Sequence, residues 1–509
     1  MSLLPTRHLP RLLASLLLGA SLAATAATPS AGTGATTPEA LAAAIDAQID
    51  QPRFAAASWG VAVMSLDDGR VLYAHRADRL LQPASTAKLF TAALSLGTLG
   101  ADYRIPTRLL AAGAPRHGRL DGPLILYGMG DPTLGTPGSE DWADQLASQL
   151  AARQIRLIRG NLIADDSYFT GASFGDGWEA GDLQSWFAVP SSALSVGDNV
   201  ADLRVTPGSA AGMPARITVD PVEGMPDIAG QLATTLPHGR SDINLYRAPG
   251  AGTLYAFGHI PAGVPPQNFK LAVPDPALLA ARELRQALAR RRIHLTGKVQ
   301  VLHWPQDDGA LLAHAVPLAQ VWSPPLFDIL QRGLKRSQNL YLQNLLLSVG
   351  AREQATAPAT GFLDTEAYGM RAMQALLAQA GIAPSDCLLQ EGTGLSRRDL
   401  VTPNAMLRLL AFMAAQPYGP RLREALPIAG VDGTLIHRMR GSAAENNVHA
   451  KTGSMAYVDS LAGYVTSASG QRLAFAIMLN NYQPPADGPG ADRTIDAIAN
   501  ALAAYRGAR

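Results

Sequence analysis

The strongest constraint on the fold is that strand patterns occur near both ends of the chain. Near the amino terminus, SWGVAVMSL and GRVLYAHR flank the turn signal Asp67-Asp68-Gly69. Near the carboxyl terminus, three strand patterns follow one another, namely VHAKTGSM, DSLAGYVTSA and QRLAFAIMLNN. Helical periodicity lies outside both groups, at Leu41, Ile45 and Ile49 and at Ile495, Ile498 and Leu502. We therefore expect helices from both ends of the chain to pack on one antiparallel sheet that both ends build.

The pattern changes between these two groups of strands. From about residue 101 to 301, short strand-like runs such as PLILYGMG and TLYAFGHI alternate with two helical patterns, one from Ser139 and one from Asp275. We interpret residues 101–301 as an inserted region of one or two subdomains. The flanking residues, 27–100 and 302–509, then form one discontinuous domain.

The first 26 residues have the layout of a secretory signal peptide. Arg7 and Arg11 give a basic start, LLASLLLGASLAA follows as an apolar run, and Ala24-Thr25-Ala26 supplies small residues for cleavage. No later segment approaches the ~20 apolar residues that a membrane span needs. The sequence therefore predicts an exported chain with no stable membrane span.

Composition argues against nucleic acid and metal as partners. The formal net charge is +1 and only 16% of the residues are charged, so there is no basic excess for a phosphate backbone. The ten histidines show neither H-x-x-H nor H-E-x-x-H spacing, and Cys387 is the sole cysteine. We expect no nucleic acid, no metal and no cofactor.

The segment QPASTAKLF places Ser85 three residues before Lys88 at the predicted start of a helix. Pro83 suits the first turn of a helix, and positions three apart share a face. A serine hydroxyl is a weak nucleophile until a base takes its proton, and a neutral lysine amine can do so. The chain has only five lysines against 37 arginines, and arginine does not deprotonate in proteins. The pair is a candidate nucleophile and base, although a surface serine beside a solvated lysine has the same spacing.

Two further motifs lie downstream, and each occurs once. KRSQNLY contains Ser337 and Asn339 as an S-x-N pattern, and HAKTGSM contains Lys451-Thr452-Gly453. The order S-x-x-K, S-x-N, K-T-G resembles the penicillin-recognising serine enzymes, which include penicillin-binding proteins and serine β-lactamases. Taken alone, the second motif also fits a helix-start cap and the third a solvated strand lysine.

The spacing of the motifs narrows this resemblance. Ser85 and Ser337 are 252 residues apart, and Ser337 and Lys451 are 114 apart. This layout resembles the class C low-molecular-mass penicillin-binding proteins, the D-alanyl-D-alanine carboxypeptidase/endopeptidase family. Further segments are similar to that family's, namely YGMGDPTL, ADDSYF, EGTGLS, LPIAGVDGTL, RMRG and DSLAGYV. EGTGLS and SQNLYLQ differ slightly from the sequences that are commoner in the family. These differences leave the three motifs intact.

The resemblance implies a β-lactamase/transpeptidase-like α+β fold, in which helices flank an antiparallel sheet and a β-rich region is inserted between the first two motifs. It implies a periplasmic serine D,D-peptidase that acts on peptidoglycan peptide stems and takes β-lactams as covalent inhibitors. Ser85 would attack the carbonyl of the penultimate D-alanine, and Lys88 would accept the proton of Ser85. Ser337 would relay a proton to the leaving amine, and Asn339 would hold the peptide backbone.

The third motif is implied to bind the end of the peptide. Lys451 and Thr452 would engage the terminal carboxylate, and Lys451 would also strengthen the field around the S-x-N serine. Gly453 would let the substrate lie close to the strand, because glycine has no side chain. The backbone N–H groups of Ser85 and Ser454 would form the oxyanion hole.

Several carboxylates lie outside the motifs. We interpret Asp131, Asp165 and Asp166 as turn or structural residues. For Asp182, in GWEAGDLQSW, our hypothesis is that it or Glu179 contacts the amine of a diaminopimelate side chain. The alternative is a loop carboxylate that faces water.

Two other functions share these sequence features. A β-lactamase or esterase on the same fold would differ by rapid deacylation, and the large insertion argues against it. A catalytically silent binding or scaffold protein would keep the fold without the chemistry, and the three intact motifs argue against that.

Overall fold

The computed structural model describes residues 34–224, 227–484 and 488–507. The predicted signal peptide, residues 1–26, lies outside the described residues. None of the helices in the described part of the chain is both long enough and apolar enough to cross a bilayer.

Strands from both ends of the chain form one five-stranded antiparallel sheet, which we call the main sheet. Its order in space is His449–Met455, Val458–Thr466, Arg472–Asn480, Ser58–Ser65 and Val71–His75. Ser58 pairs with Asn480 and Ser65 pairs with Leu473, so an early strand of the chain lies beside a late one. The predicted antiparallel sheet that both ends build is confirmed.

One face of the main sheet packs against the two terminal helices. Val61, Leu461 and Phe475 lie on this face and are fully buried. They share a core with the helices Pro38–Ile49 and Asp492–Ala504. The residues that predicted these helices are all buried there, namely Leu41, Ile45, Ile49, Ile495, Ile498 and Leu502.

The opposite face of the main sheet carries smaller side chains, including Ala62, Ala462 and Ala476. Small residues let the helices on this side approach the sheet closely. One of those helices, Lys88–Leu99, directly follows the turn that contains the S-x-x-K motif. The helices of this layer are Lys88–Leu99, Leu326–Arg336, Asn339–Thr356, Thr365–Gln379, Pro403–Ala415 and Gly419–Ala425. Because both faces are covered, the central strands read as nearly continuous apolar runs.

The inserted region contains a second five-stranded sheet, which we call the insert sheet. Its order is Val299–Leu302, Leu162–Asp165, Leu124–Tyr127, Pro106–Ala111 and Val316–Trp322. The helices Trp142–Ala152 and Pro276–Arg290 share a core with it. The two predicted helices bury their apolar residues in that core, namely Trp142, Leu146, Leu150, Ala281, Leu284 and Leu288.

Three smaller sheets complete the inserted region. Each has three strands. The first sheet consists of Arg119–Asp121, Leu157–Arg159 and His294–Leu295, and the second of Val200–Thr206, Arg216–Asp220 and Gln267–Ala272. The third consists of Ile228–Thr235, Asn244–Tyr246 and Leu254–Pro261. The short elements of the chain are Pro52–Phe54, Ala84–Ala87, Gly197–Asn199, Val222–Gly224, Gly309–Leu312, Pro384–Asp386 and Gly433–Leu435, with a two-stranded pair of Cys387–Leu388 and Leu400–Val401.

The insert sheet crosses the predicted boundary between residues 301 and 302. Val316–Trp322 pairs antiparallel with Pro106–Ala111, from Val316 beside Ala111 to Trp322 beside Pro106. A division at residue 301 would therefore separate two hydrogen-bonded strands. We propose that the inserted region extends to Trp322.

Candidate active site

Ser85 lies in a short 3₁₀ turn, Ala84–Ala87, that runs directly into the helix Lys88–Leu99. The sequence pattern predicted Ser85 in the first turn of the α-helix. In the structure, Ser85 lies instead in the 3₁₀ turn that precedes this helix. Ala84 has a positive φ of 46°, which marks a sharp change of direction before the serine. The turn is held against the main sheet, because Ser460 Oγ donates to the carbonyl oxygen of Pro83 at 2.7 Å.

Lys88 is fully buried, and its amine lies among three oxygen atoms. Lys88 Nζ is 2.8 Å from Ser85 Oγ and 2.8 Å from the carbonyl oxygen of Thr393, and it also donates to Asn339 Oδ1. Burial lowers the pKa of Lys88 to about 7, against the opposing field of Glu391 and Asp399. A large share of this amine is therefore neutral near neutral pH.

The neutral form of the Lys88 amine can satisfy all three of these oxygens. A neutral amine has two N–H groups and one lone pair. The oxygens of Asn339 and Thr393 are carbonyl acceptors, so they take the two N–H groups. The lone pair then faces the hydroxyl of Ser85, which can donate its proton. Geometrically, Lys88 is placed to deprotonate Ser85.

Ser337 and Lys451 form a second serine–lysine contact. Ser337 ends the helix Leu326–Arg336 in the left-handed conformation, with φ of 58°. Lys451 Nζ donates to Ser337 Oγ at 2.8 Å and to the carbonyl oxygen of Thr452 at 2.7 Å. Burial and the nearby Lys88 hold the pKa of Lys451 well below its usual range.

Asn339 joins the first motif to the inserted region. It is the first residue of the helix Asn339–Thr356. Its Oδ1 accepts from Lys88, and its Nδ2 donates to the carbonyl oxygen of Phe187 at 2.6 Å. The amide of Asn339 thus fixes the lysine on one side and the segment 181–187 on the other.

The K-T-G strand lies directly against the Ser85 turn. A Cβ atom on Gly453 would lie 2.3 Å from Ser460 Oγ, 2.7 Å from the Pro83 carbonyl oxygen and 2.9 Å from Ser85 N, so glycine is required there. Thr452 Oγ1 lies 2.7 Å from Thr434 Oγ1, and Ser454 is exposed one residue after the glycine. All three motifs therefore meet at one edge of the main sheet.

Glu391 is an important residue near this centre that the sequence analysis did not single out. Its buried carboxylate accepts backbone N–H groups from Thr393 at 2.8 Å, Gly394 at 2.6 Å and Leu395 at 3.0 Å. These bonds shape the loop whose Thr393 carbonyl accepts from Lys88. The segment EGTGLS contains both the carboxylate and the N–H groups it binds. The similarity of this segment to the family was the sequence signal that could have identified Glu391.

A family model covers nearly the whole described chain. The model for the D-Ala-D-Ala carboxypeptidase 3 (S13) family matches residues 41–502, a range that includes all three motifs. The chain belongs to this S13 family. The predicted family is confirmed.

Individual relatives of this S13 chain agree with that assignment. A D-alanyl-D-alanine carboxypeptidase of Actinomadura sp. (strain R39) is 35% identical over 475 residues, which cover 91% of this chain and 84% of that protein. The D-alanyl-D-alanine carboxypeptidase DacB of Haemophilus influenzae is 30% identical over 434 residues, which cover 83% of this chain and 85% of that protein. The crystal structure of penicillin binding protein 4 from H. influenzae aligns with a TM-score of 0.77 at 27% identity, over 90% of this chain and 98% of that chain. The predicted α+β fold is confirmed.

Asp182 lies on the same segment of the S13 chain as Phe187. Its carboxylate has no side-chain or backbone donor among the described residues, and burial and Glu179 raise its pKa. Glu179 lies 3.2 Å from Arg397 Nε, and Arg397 Nη1 donates to the carbonyl oxygen of Ala456 just after the K-T-G strand. Of the two carboxylates considered, Asp182 is the one with an uncommitted side chain.

The remaining acidic candidates have structural partners. Asp131 is buried and accepts from the backbone N–H and the hydroxyl of Thr133, and Asp165 accepts likewise from Ser167. Asp166 accepts from Ser192 Oγ at 2.7 Å. Across residues 34–224, 227–484 and 488–507, no group of three or more histidine, cysteine or acidic side chains is arranged to hold a metal ion.

Proposed function

We propose that this chain is an exported serine D,D-peptidase that cleaves D-alanyl-D-alanine ends, D-alanyl cross-links, or both, in peptidoglycan. The observation that carries the proposal is the buried Lys88 amine 2.8 Å from Ser85 Oγ, with carbonyl acceptors on its other sides. The S13 family assignment and the carboxypeptidase names of the relatives support the substrate class. A relative's structure in complex with a β-lactam supports β-lactams as covalent inhibitors.

The first step of the proposed reaction forms a tetrahedral adduct on Ser85. Lys88 takes the proton of the Ser85 hydroxyl while Ser85 Oγ bonds to the carbonyl carbon of the penultimate D-alanine. The carbonyl electron pair moves onto oxygen, and the backbone N–H groups of Ser85 and Ser454 stabilise the resulting charge. Lys88 can act as the base because burial lowers its pKa to about 7.

In the second step the carbonyl re-forms as the C–N bond to the leaving group breaks, and this leaves an ester on Ser85. The proton that Lys88 took from Ser85 is relayed through Ser337 to the departing amine, and Lys451, 2.8 Å from Ser337 Oγ, supports this transfer. In a carboxypeptidase reaction, Lys451 and Thr452 bind the terminal carboxylate, and that anion supplies the counter-charge which the buried Lys451 lacks. Water then attacks the ester carbonyl and releases the shortened peptide and free Ser85.

Digestion of purified muropeptides tests this function. We expect the chain to release D-alanine from pentapeptide monomers, to convert cross-linked dimers into monomers, or to do both, and we expect Ser85→Ala to lose these reactions. Rapid turnover of penicillin, with a penicilloyl-enzyme lifetime of seconds or less, would instead favour a β-lactamase. Intact motifs without either reaction would favour a scaffold protein.

We further propose that Asp182 contacts the free amine of a diaminopimelate residue in the peptide stem. The uncommitted carboxylate and its position on the segment held by Asn339 support this role. The Asp182→Ala variant should lose much of any preference for stems with diaminopimelate over stems with lysine. Glu179→Ala is the matched control, because Glu179 already pairs with Arg397. An unchanged preference in Asp182→Ala would refute the role.

A further inference from the structure

A large cavity lies in the inserted region, outside the site formed by the three motifs. Its volume is about 680 Å³, which lies within the range of small-molecule sites. Phe174, Leu183 and Leu278 supply apolar walls, and the loop 248–253 supplies small residues. A cavity of this size and lining can accommodate a short peptide.

Arg247 lines this cavity and has no counter-charge. The residue is 9% exposed, and its backbone N–H donates to Gln184 Oε1 at 2.8 Å. Its guanidinium makes no hydrogen bond and no ion pair with any residue in the described part of the chain. Burial lowers the pKa of Arg247, but a guanidinium remains charged in proteins. A cation that faces a cavity without an ion-pair partner offers an anionic ligand a charge-assisted hydrogen bond.

Three carboxylates also line the cavity, and none of them forms an ion pair with Arg247. Glu223 accepts from Gln286 Nε2 at 2.7 Å, and Asp275 accepts from the backbone N–H of Leu278 at 2.9 Å as a helix cap. Asp227 is exposed to solvent. These acidic groups would repel a phosphate dianion more strongly than a single carboxylate, whose two oxygens match the fork of a guanidinium.

The cavity is connected to the candidate active site by the segment 181–187. Gln184 in this segment binds the backbone of Arg247, and Phe187 in the same segment accepts from Asn339. We propose that the cavity is a second peptide site, in which Arg247 binds a free carboxylate of another peptide stem of the polymer. The identity of the ligand as a peptide stem rests on the proposed function, whereas the carboxylate site itself does not.

Calorimetric titration with a matched pair of peptides tests the site. The probes are a short peptide acid ending in D-alanine and the same peptide as its carboxyl-terminal amide. The active site is first blocked with penicillin, and covalent labelling is verified by mass. We expect one acid molecule to bind each blocked chain, and the amide to bind at least tenfold more weakly.

Arg247→Gln is the deciding variant, and Arg204→Gln, an exposed arginine of the same inserted region, is its control. We expect Arg247→Gln to weaken acid binding tenfold to a hundredfold, Arg247→Lys to weaken it less, and Arg204→Gln to leave it unchanged. The unfolding temperature of Arg247→Gln should not fall, because the guanidinium makes no hydrogen bond or ion pair that the variant would break.

Three binding results would overturn the proposal. They are equal binding of acid and amide, unchanged acid binding by Arg247→Gln, and displacement of the peptide by inorganic phosphate at equal concentration. A marked loss of stability in Arg247→Gln would also overturn it, because it would give Arg247 a structural role. If penicillin does not label the chain, the proposed function fails. Titration of the unblocked Arg247→Gln and Arg204→Gln variants with the peptide acid still decides whether Arg247 forms a carboxylate site.

Discussion

Lys88 should give the enzyme a recognisable pH dependence. Its pKa is lowered to about 7 by burial, and only the neutral amine can accept the proton of Ser85. Acylation by a penicillin should therefore fall about tenfold per pH unit below pH 7 and level off above it. Second-order acylation rates from pH 5 to 9, with the fold monitored by circular dichroism, measure this. A flat profile across that range would contradict Lys88 as the base.

The two motif lysines should differ when each is replaced by arginine. Arginine keeps its proton, so Lys88→Arg should lower the acylation rate by at least roughly 10²–10⁴-fold. Lys451 is proposed as a cation for the substrate's carboxylate, a role that arginine partly fills. Lys451→Arg should therefore retain much more acylation. Both sites are fully buried, so thermal unfolding of each variant is the control for overpacking. Equal losses, or a milder loss at Lys88, would show that the base is assigned wrongly.

Glu391 should position the Lys88 amine through the Thr393 loop, and its charge should influence the pKa of Lys88. Its negative charge raises the pKa of Lys88 and so opposes the effect of burial. Glu391→Gln removes that charge, so the midpoint of the acylation profile should move to lower pH, while the loosened Thr393 loop lowers the plateau rate. Glu140→Gln, at an exposed site in the inserted region, is the control. A lower plateau with an unmoved midpoint would mean that Glu391 is only structural.

Sequence and structure differ in what they reveal about these residues. The contact between Ser85 and Lys88 could be predicted, because the two residues are three positions apart in the chain. The role of Glu391 could not, because it depends on backbone N–H groups that converge only when the loop folds. Ser337 was identified by its motif, but its left-handed backbone, which terminates a helix, has no signature in S-x-N.

At the scale of elements, the contact between the K-T-G strand and the Ser85 turn should be intolerant of any side chain at Gly453. Gly453→Ala places a Cβ atom 2.3 Å from Ser460 Oγ and 2.9 Å from Ser85 N. We expect the variant to lose about 1–3 kcal/mol of unfolding free energy and to acylate at least tenfold more slowly.

Gly97→Ala is the matched control for Gly453→Ala. Gly97 lies in the helix Lys88–Leu99, and a Cβ atom there meets nothing within 4 Å. Because alanine favours helix over glycine, this variant should gain about 0.5–1 kcal/mol. Chemical denaturation gives both values. Equal stability of the two variants would contradict the close contact inferred at Gly453.

The strands and helices of the main sheet were predictable from periodicity, because each buries its own apolar pattern. The boundary of the insert sheet was not predictable in this way. Val316–Trp322 joins the insert sheet through backbone bonds to Pro106–Ala111, a pairing more than 200 residues apart along the chain. The 3₁₀ turn at Ala84–Ala87 was also missed, because its geometry is imposed by packing against the main sheet.

At the scale of the whole molecule, the candidate site depends on parts of the chain that are far apart. Ser85 comes from the amino-terminal half, Ser337 from the helical layer and Lys451 from a late strand, and the main sheet brings the first and last together. The inserted region takes part as well, since Phe187 accepts from Asn339. We infer that the insertion helps to hold the S-x-N motif in place.

The most direct test of Ser85 as the nucleophile is the mass of the penicillin-treated protein followed by tryptic mapping. We predict one penicilloyl group per chain, located on the peptide Leu80–Lys88, which contains Ser85, and no label on Ser85→Ala with an unchanged circular dichroism spectrum. Stoichiometric label on any other peptide, or a Ser85→Ala variant that still acylates, would contradict it.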